Sequence, residues 1–187
     1  MSNKILFIVF LLIPTFILAQ GKDTKESAAK HAFVGVKTCG MCHKSEKQGE
    51  QLGIWEKSKH ANAYKSLETA EADSVAKAKG FDTPAVKTEA CLKCHAIGYN
   101  VDKSLLEKHF DVTQGVQCET CHGAGGDYKN MKIMKDKKLA IANGLQIHEN
   151  LKEFCTTCHN SDSPYYKKDQ NIDKMWQQIK HDIPQGK

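Results

Sequence analysis

Apolar residues are concentrated once in this chain, at its start. Ile5 to Ala19 is apolar apart from Pro14 and Thr15, with Lys4 before it and Gln20 and Gly21 after it. A positive residue, an apolar stretch and a small-residue exit form the pattern of a secretory signal peptide, and the stretch is short for a membrane span. Residues 1–20 are therefore expected to be a cleaved signal peptide, and 21–187 a single exported domain. No second apolar block follows, so the processed protein is expected to be soluble.

Beyond a small, polar leader from Gly21 to Lys30, the apolar positions follow a helical rather than an alternating period. Ser45 to Leu67 reads as a helix, loosened by Gly49 and Gly53, that turns Leu52, Trp55 and Tyr64 inward. Glu68 to Lys79 is rich in strong helix formers and ends at Gly80, a residue suited to the left-handed position that closes a helix. A short helix is expected over Lys103 to His109, and a lysine-rich one from Tyr128 to Ala142, closed by Asn143-Gly144. In the last, Gln170 to His181, residues Ile172, Met175, Trp176 and Ile179 form one apolar stripe at i, i+3, i+4 and i+7. Strand patterns are almost absent, so the expected fold class is mostly α with extensive loops.

The cysteines change this picture. The chain has eight, and all of them fall in four copies of Cys-x-x-Cys-His. The copies are Cys39/Cys42/His43, Cys91/Cys94/His95, Cys118/Cys121/His122 and Cys155/Cys158/His159. The motif is the attachment site of a c-type haem: two thiols bind the porphyrin vinyl groups, and the histidine ligates the iron from the proximal side. Four disulfides would leave the histidine after every second cysteine unexplained. Zinc ribbons pair Cys-x-x-Cys units but have no need of a histidine beside each. Four covalently bound haem c groups are therefore expected, at roughly 40 residues per haem. So thin a chain, with 7% aromatic residues, lacks the side chains for an ordinary core around each cofactor, and the haems are expected to form much of the core themselves. The uneven positions of the motifs argue against simple tandem duplication.

Charge needs correcting for the same cofactors. The formal net charge is +5, carried on the positive side by lysine alone. Each haem adds two propionates, so four add about eight negative charges, and the loaded protein is near neutral or acidic. A nucleic-acid role read from the basic sequence would be mistaken. The lysines solvate the surface, offset propionates and can guide an acidic redox partner.

Each iron has one further axial position. Five histidines lie outside the motifs: His31, His60, His109, His148 and His181. His60 and His181 lie on elements able to press a ring against a porphyrin and are the preferred distal ligands. His31, His109 and His148 stand in polar surroundings that suit solvated side chains. Methionine is the other common axial ligand. Met131 and Met134 share a helix face after the third motif, although core packing is the commoner use of that residue.

The words around the motifs resemble a known family. Val36-Lys37-Thr38-Cys39-Gly40-Met41-Cys42-His43-Lys44, followed by Trp55 and Ser58-Lys59-His60-Ala61, is similar to the opening of the cytochrome c-554 family of tetrahaem cytochromes. Gly115-Val116-Gln117-Cys118-Glu119-Thr120-Cys121-His122-Gly123-Ala124-Gly125 resembles its third site. Cys155 to Asn160, Ser163-Pro164 and Ile179-Lys180-His181 resemble its small exported relatives. The resemblance implies haems in stacked and near-perpendicular pairs, His60 on the haem of the fourth motif, His181 on that of the third, and a five-coordinate haem at His95. It also implies a histidine shortly after the third motif as ligand of the first haem. This chain has Gly126-Asp127-Tyr128 there and no histidine before His148, so Met131 or Met134 is expected opposite His43.

The function expected is electron transfer between haems in the periplasm. The partners would be a redox donor and acceptor, one of which can be a membrane-bound oxidoreductase. The alternative is a reductase or ligand-binding protein for nitric oxide or another nitrogen oxide at a five-coordinate haem.

Overall fold

The computed structural model describes residues 31–184. The expected signal peptide and the leader up to Lys30 lie outside the described residues.

Among these residues the regular structure is helical, in short pieces joined by 3₁₀ turns and loops. The α-helices are α1 (Val36–Gly40), α2 (Gln51–Glu56), α3 (Ala70–Ala78), α4 (Glu89–His95), α5 (Cys118–His122), α6 (Met131–Met134), α7 (Lys137–Ala142), α8 (Leu151–Thr156) and α9 (Ile172–Gln177). The nearest approach to a sheet among the described residues is an isolated parallel bridge between Phe33 and Leu106. The Phe33 and Phe110 rings meet edge to face beside it, 5.8 Å between centres.

Helix α3 follows the sequence closely. Thr69 caps it, its hydroxyl accepting from the Ala72 N–H at 3.1 Å, and Gly80 beyond its end takes a φ of +86°. Its inner face meets the turn at Ala85–Lys87 and α4 in a small cluster of Leu67, Ala76 and Ala85, with Phe81, Val86 and Leu92 around it. Asp73 ties the turn down by accepting from the Ala85 N–H at 2.8 Å.

Two expected long helices are broken instead. The stretch from Ser45 to Leu67 splits because Gly49 (φ +96°) and Glu50 (φ +53°) both turn left-handed, and α2 starts afresh after them. Past α2 the chain continues as 3₁₀ turns at His60–Asn62 and Lys65–Leu67. The stretch from Tyr128 to Ala142 splits at Asp136, which leaves the helical conformation to cap α7 by accepting from the Leu139 N–H at 3.0 Å. The segment expected to be helical from Lys103 to His109 shrinks to a 3₁₀ turn at Lys103–Leu105. The last helix stops at Gln177, so His181 lies beyond it in irregular chain.

Buried apolar side chains among the described residues are few and mostly small: Val34, Val36, Leu67, Ala76, Ala85, Ala96, Tyr128, Ala140 and Ile172. Polar contacts carry much of the remaining cohesion. Glu119, inside the third motif, is 2% exposed. Its carboxylate accepts from the N–H groups of Val34 (2.9 Å), Gly35 (2.8 Å) and Gly125 (2.7 Å). Burial pushes its pKa up, while the three N–H donors pull it back. The run Gly123–Gly126 lies close against other protein: a Cβ on Gly126 would sit 2.9 Å from the Ala32 carbonyl oxygen, and one on Gly125 would sit 3.1 Å from Val34. The glycines let the segment entering α1 lie against α5.

Replacing Glu119 with alanine orphans three buried N–H groups. At about 1–3 kcal/mol for each unsatisfied donor, with partial relaxation, Glu119→Ala is expected to cost roughly 3 kcal/mol or more, and Glu119→Gln, which keeps one acceptor, about half that. Urea unfolding of the haem-loaded protein measures both. Equal midpoints for all three proteins would count against this carboxylate as a joint between the first and third motifs.

Candidate haem-binding site

Each motif begins in a short helix, and the helix explains its spacing. Residues i, i+3 and i+4 share a face, so both thiols and the histidine of Cys-x-x-Cys-His point the same way when the segment is helical. Helices α4 and α5 contain the second and third motifs whole. In the other two the regular helix ends at Gly40 and Thr156, but the hydrogen bonds continue. The His43 N–H bonds the Cys39 carbonyl at 3.1 Å, and the His159 N–H bonds that of Cys155 at 2.9 Å. None of the eight cysteines is joined to another in a disulfide, so all eight thiols are left for attachment to a porphyrin. Among the described residues no three histidine, cysteine or acidic side chains converge as a protein-only metal cage would need.

The four motifs are neighbours in space in an order that differs from their order in sequence. The Cys39 and Cys118 thiols lie close enough to shift each other's protonation, so the first motif abuts the third. Cys94 and Cys158 do the same for the second and fourth. Cys121 lies within electrostatic reach of Cys155 and Cys158, joining the third to the fourth. The spatial sequence is thus first, third, fourth, second. Burial, followed by neighbouring thiols, pushes Cys94 and Cys121 each up to about 11. A cavity of about 220 Å³ opens between the second and fourth motifs, lined by Cys94 and Cys158 with Ile97, Tyr99, Val101 and Val116.

Two histidines outside the motifs face motif histidines. The His60 and His159 rings are 6.1 Å apart, centre to centre, with 56° between planes. The His122 and His181 rings are 5.9 Å apart with 60° between planes. A metal–imidazole bond of about 2 Å on each side, with each ring centre about 1 Å behind its nitrogen, requires a separation of about 6 Å. Both pairs fit an iron between them, and the angle between planes is free because each ring can rotate about its bond to the metal. The protonation states fit as well. Burial, then the neighbouring His181, His148 and His43, pushes His122 down to about 4. Burial and then His159 lower His60, and burial lowers His159. Neutral imidazole is the form that binds metal.

The chain fixes these distal rings through backbone. Gly115 (φ +75°) lies so close to the His60 carbonyl that a Cβ would sit 2.7 Å from it, and the Val116 N–H bonds that carbonyl at 3.1 Å. Trp55 donates to the Val116 carbonyl at 2.7 Å. The His181 Nδ1 bonds the Ile179 carbonyl at 2.9 Å, which leaves its Nε2 for His122. Gly49 (φ +96°) admits the Asp182 carbonyl to a place where a Cβ would be only 2.3 Å away, drawing the segment that bears His181 toward the turn after the first motif.

The other two motif histidines differ. His95 Nδ1 bonds the Ala63 carbonyl at 2.8 Å and Ser66 Oγ at 3.1 Å. Among the described residues no ring contact sets a second histidine against His95 or His43. Met134 is partly buried and Met131 is 65% exposed. His31 pairs with Asp127 at 2.5 Å. His148 stacks on Phe154, 3.6 Å between ring centres, and bonds the Cys121 carbonyl at 2.7 Å. His109 is exposed. Sequence reasoning missed Glu119, Gly49, Gly115 and Ser66. Only the acidic residue inside a haem motif was a visible signal, since the others depend on which distant segments meet.

The family model described as "Cytochrome c554 and c-prime" matches residues 38–123. A curated relative, "Cytochrome c-554" of Nitrosomonas europaea, is 31% identical in an alignment of 160 positions that covers 77% of this chain. The match spans 63% of that relative's length. No solved structure matches. By both matches the chain is similar to the cytochrome c-554 family of c-type cytochromes, a class that carries covalently bound haem c.

Proposed function

We propose that this protein is an exported tetrahaem cytochrome that carries electrons between redox partners by transfer from haem to haem. The observation that carries the reading is the meeting of two imidazole pairs, each of the separation an iron needs, on motifs whose thiols lie within electrostatic reach of those of neighbouring motifs. Haems attached at such motifs lie close together, so electrons can pass along the row in the order first, third, fourth, second. The bound haems supply the redox chemistry; the chain holds them in place and sets the ligands, burial and charge around each iron. His43, His95, His122 and His159 serve as proximal ligands, His60 ligates the haem of the fourth motif, and His181 that of the third.

The first haem takes a methionine. Met134 is favoured over Met131 because it is partly buried, whereas Met131 points largely into solvent. Partners are a redox donor and acceptor met outside the cytoplasm, one of which can be a membrane-bound oxidoreductase. Residues 1–20 act as the export signal. Among the described residues no helix is long and apolar enough to cross a membrane.

A second reading rests on His95. Its Nδ1 is anchored, and among the described residues no ring contact sets a second histidine against it, so an iron held there would keep a coordination position for a small ligand such as nitric oxide. Turnover would also require a proton donor beside the open position.

Intact mass should equal the processed chain plus four haems, and His60→Ala and His181→Ala should each convert one low-spin ferric haem to high spin by electron paramagnetic resonance. A colourless protein at bare polypeptide mass would end the electron-carrier reading. Met134→Ala should abolish the weak far-red band of a methionine-ligated ferric haem, while Met131→Ala leaves it; persistence of the band in both would put a different methionine on that iron, and its absence from the native protein points to His31 or His148 instead. Carbon monoxide should shift the spectrum of one ferrous haem in four, and a spectrum wholly insensitive to it removes the ligand-binding reading.

A further inference from the structure

We propose that Ser66 is a positioning residue that sets the electron-donating strength of His95 toward its iron. The inference rests on the reading of His95 as the proximal ligand of an open haem. The Ser66 hydroxyl has one proton, and it donates that proton to the Ala63 carbonyl at 2.6 Å. Its lone pairs are then free to accept from the His95 Nδ1–H at 3.1 Å, alongside the Ala63 carbonyl at 2.8 Å. The N–H is thus shared between two acceptors that are themselves bonded to each other. This fixes the tautomer, with the proton on Nδ1 and the Nε2 lone pair toward the metal.

Hydrogen bonding at the remote nitrogen raises the basicity of the ligating one. A more basic proximal imidazole favours the ferric state and strengthens the iron–nitrogen bond. Among the hydrogen bonds of the described motif histidines, His95 is the one whose Nδ1 has acceptors of this kind. At an iron lacking a second protein ligand, the proximal ligand is the chain's strongest control over potential and over affinity for an incoming molecule.

The acceptors are held independently of His95. Leu67, next to Ser66, is buried in the cluster with Ala76 and Ala85. At the other end of the same turn, the His60 carbonyl is held by Val116. Ser66 itself is exposed, so substitution there does not open the core.

The test is resonance Raman spectroscopy of the fully reduced haem-loaded protein, reading the iron–histidine stretch that a five-coordinate ferrous haem displays. Ser66→Ala should lower that frequency and raise the midpoint of one haem of the four, a change of about tenfold in its reduction equilibrium, or 59 mV for one electron. Ser66→Asp, which offers a carboxylate to the same N–H, should move both in the opposite direction, and Ser66→Thr should restore the native values. A merely structural role would not produce opposite shifts from two substitutions. A stretch present in the native protein but unmoved by alanine and aspartate would overturn the role of Ser66. No such stretch in the native protein would overturn the open-iron reading and this inference with it.

Discussion

An iron in a porphyrin offers two axial positions on opposite faces, and that constraint organises this molecule. A motif helix can supply one of them. The other must come from a segment the helix does not contain, so each six-coordinate haem joins two distant parts of the chain. His60 lies nearly a hundred residues before His159, and His181 about sixty after His122, yet each pair of rings stands 6.1 Å or 5.9 Å apart. On the proposed ligand assignment these pairings do work that a hydrophobic core does in most domains of this size. The buried apolar side chains here are small and scattered, and bound haems would supply the mass and the cross-links that side chains do not.

The backbone is shaped to satisfy those cross-links. Gly49 and Gly115 hold positive φ, and each admits a carbonyl of a ligand-bearing segment, that of Asp182 and that of His60, closer than a side chain would permit. Short helices serve the same end. A helix of one or two turns is long enough to align two thiols and a histidine, and a longer one would carry the chain away from the iron before its partner segment could return. Glu119 shows the electrostatic side of this economy. A buried carboxylate is costly unless hydrogen-bonded, and here it takes donors from both the segment entering the first motif and the loop leaving the third.

What could be read from the sequence follows from how local its cause was. The four motifs, the Thr69-to-Gly80 helix and the scarcity of strands were legible because spacing, caps and period act within a few residues. The helices expected over Ser45–Leu67 and Tyr128–Ala142 failed for a tertiary reason in one case and a local one in the other. Gly49 turns left-handed where the Asp182 segment comes close, whereas Asp136 does what an aspartate does best and starts a new helix. His60 and His181 stood out among five spare histidines because of their flanks and the resemblance. The resemblance also named their partners, and the geometry is consistent with it. No local signal marked Ser66 as a neighbour of His95, since the contact depends on how the turn after His60 folds back on α4.

That turn places two haem sites on one short piece of chain. His60 faces His159, and Ala63 and Ser66 reach His95, three and six residues further on. The thiols of the same two motifs lie within electrostatic reach at Cys94 and Cys158. A displacement of His95 along its iron–nitrogen axis must therefore either stretch its bonds to the turn or move the turn, and the turn is held at its other end by Val116 and by the ring opposite His159. On the proposed assignment, the haem with a free position and its saturated neighbour are mechanically linked by six residues. A change of ligand or charge at one iron is then felt at the other through the chain, in addition to the direct field between two nearby metals, and electron transfer between them takes place inside a single rigid unit.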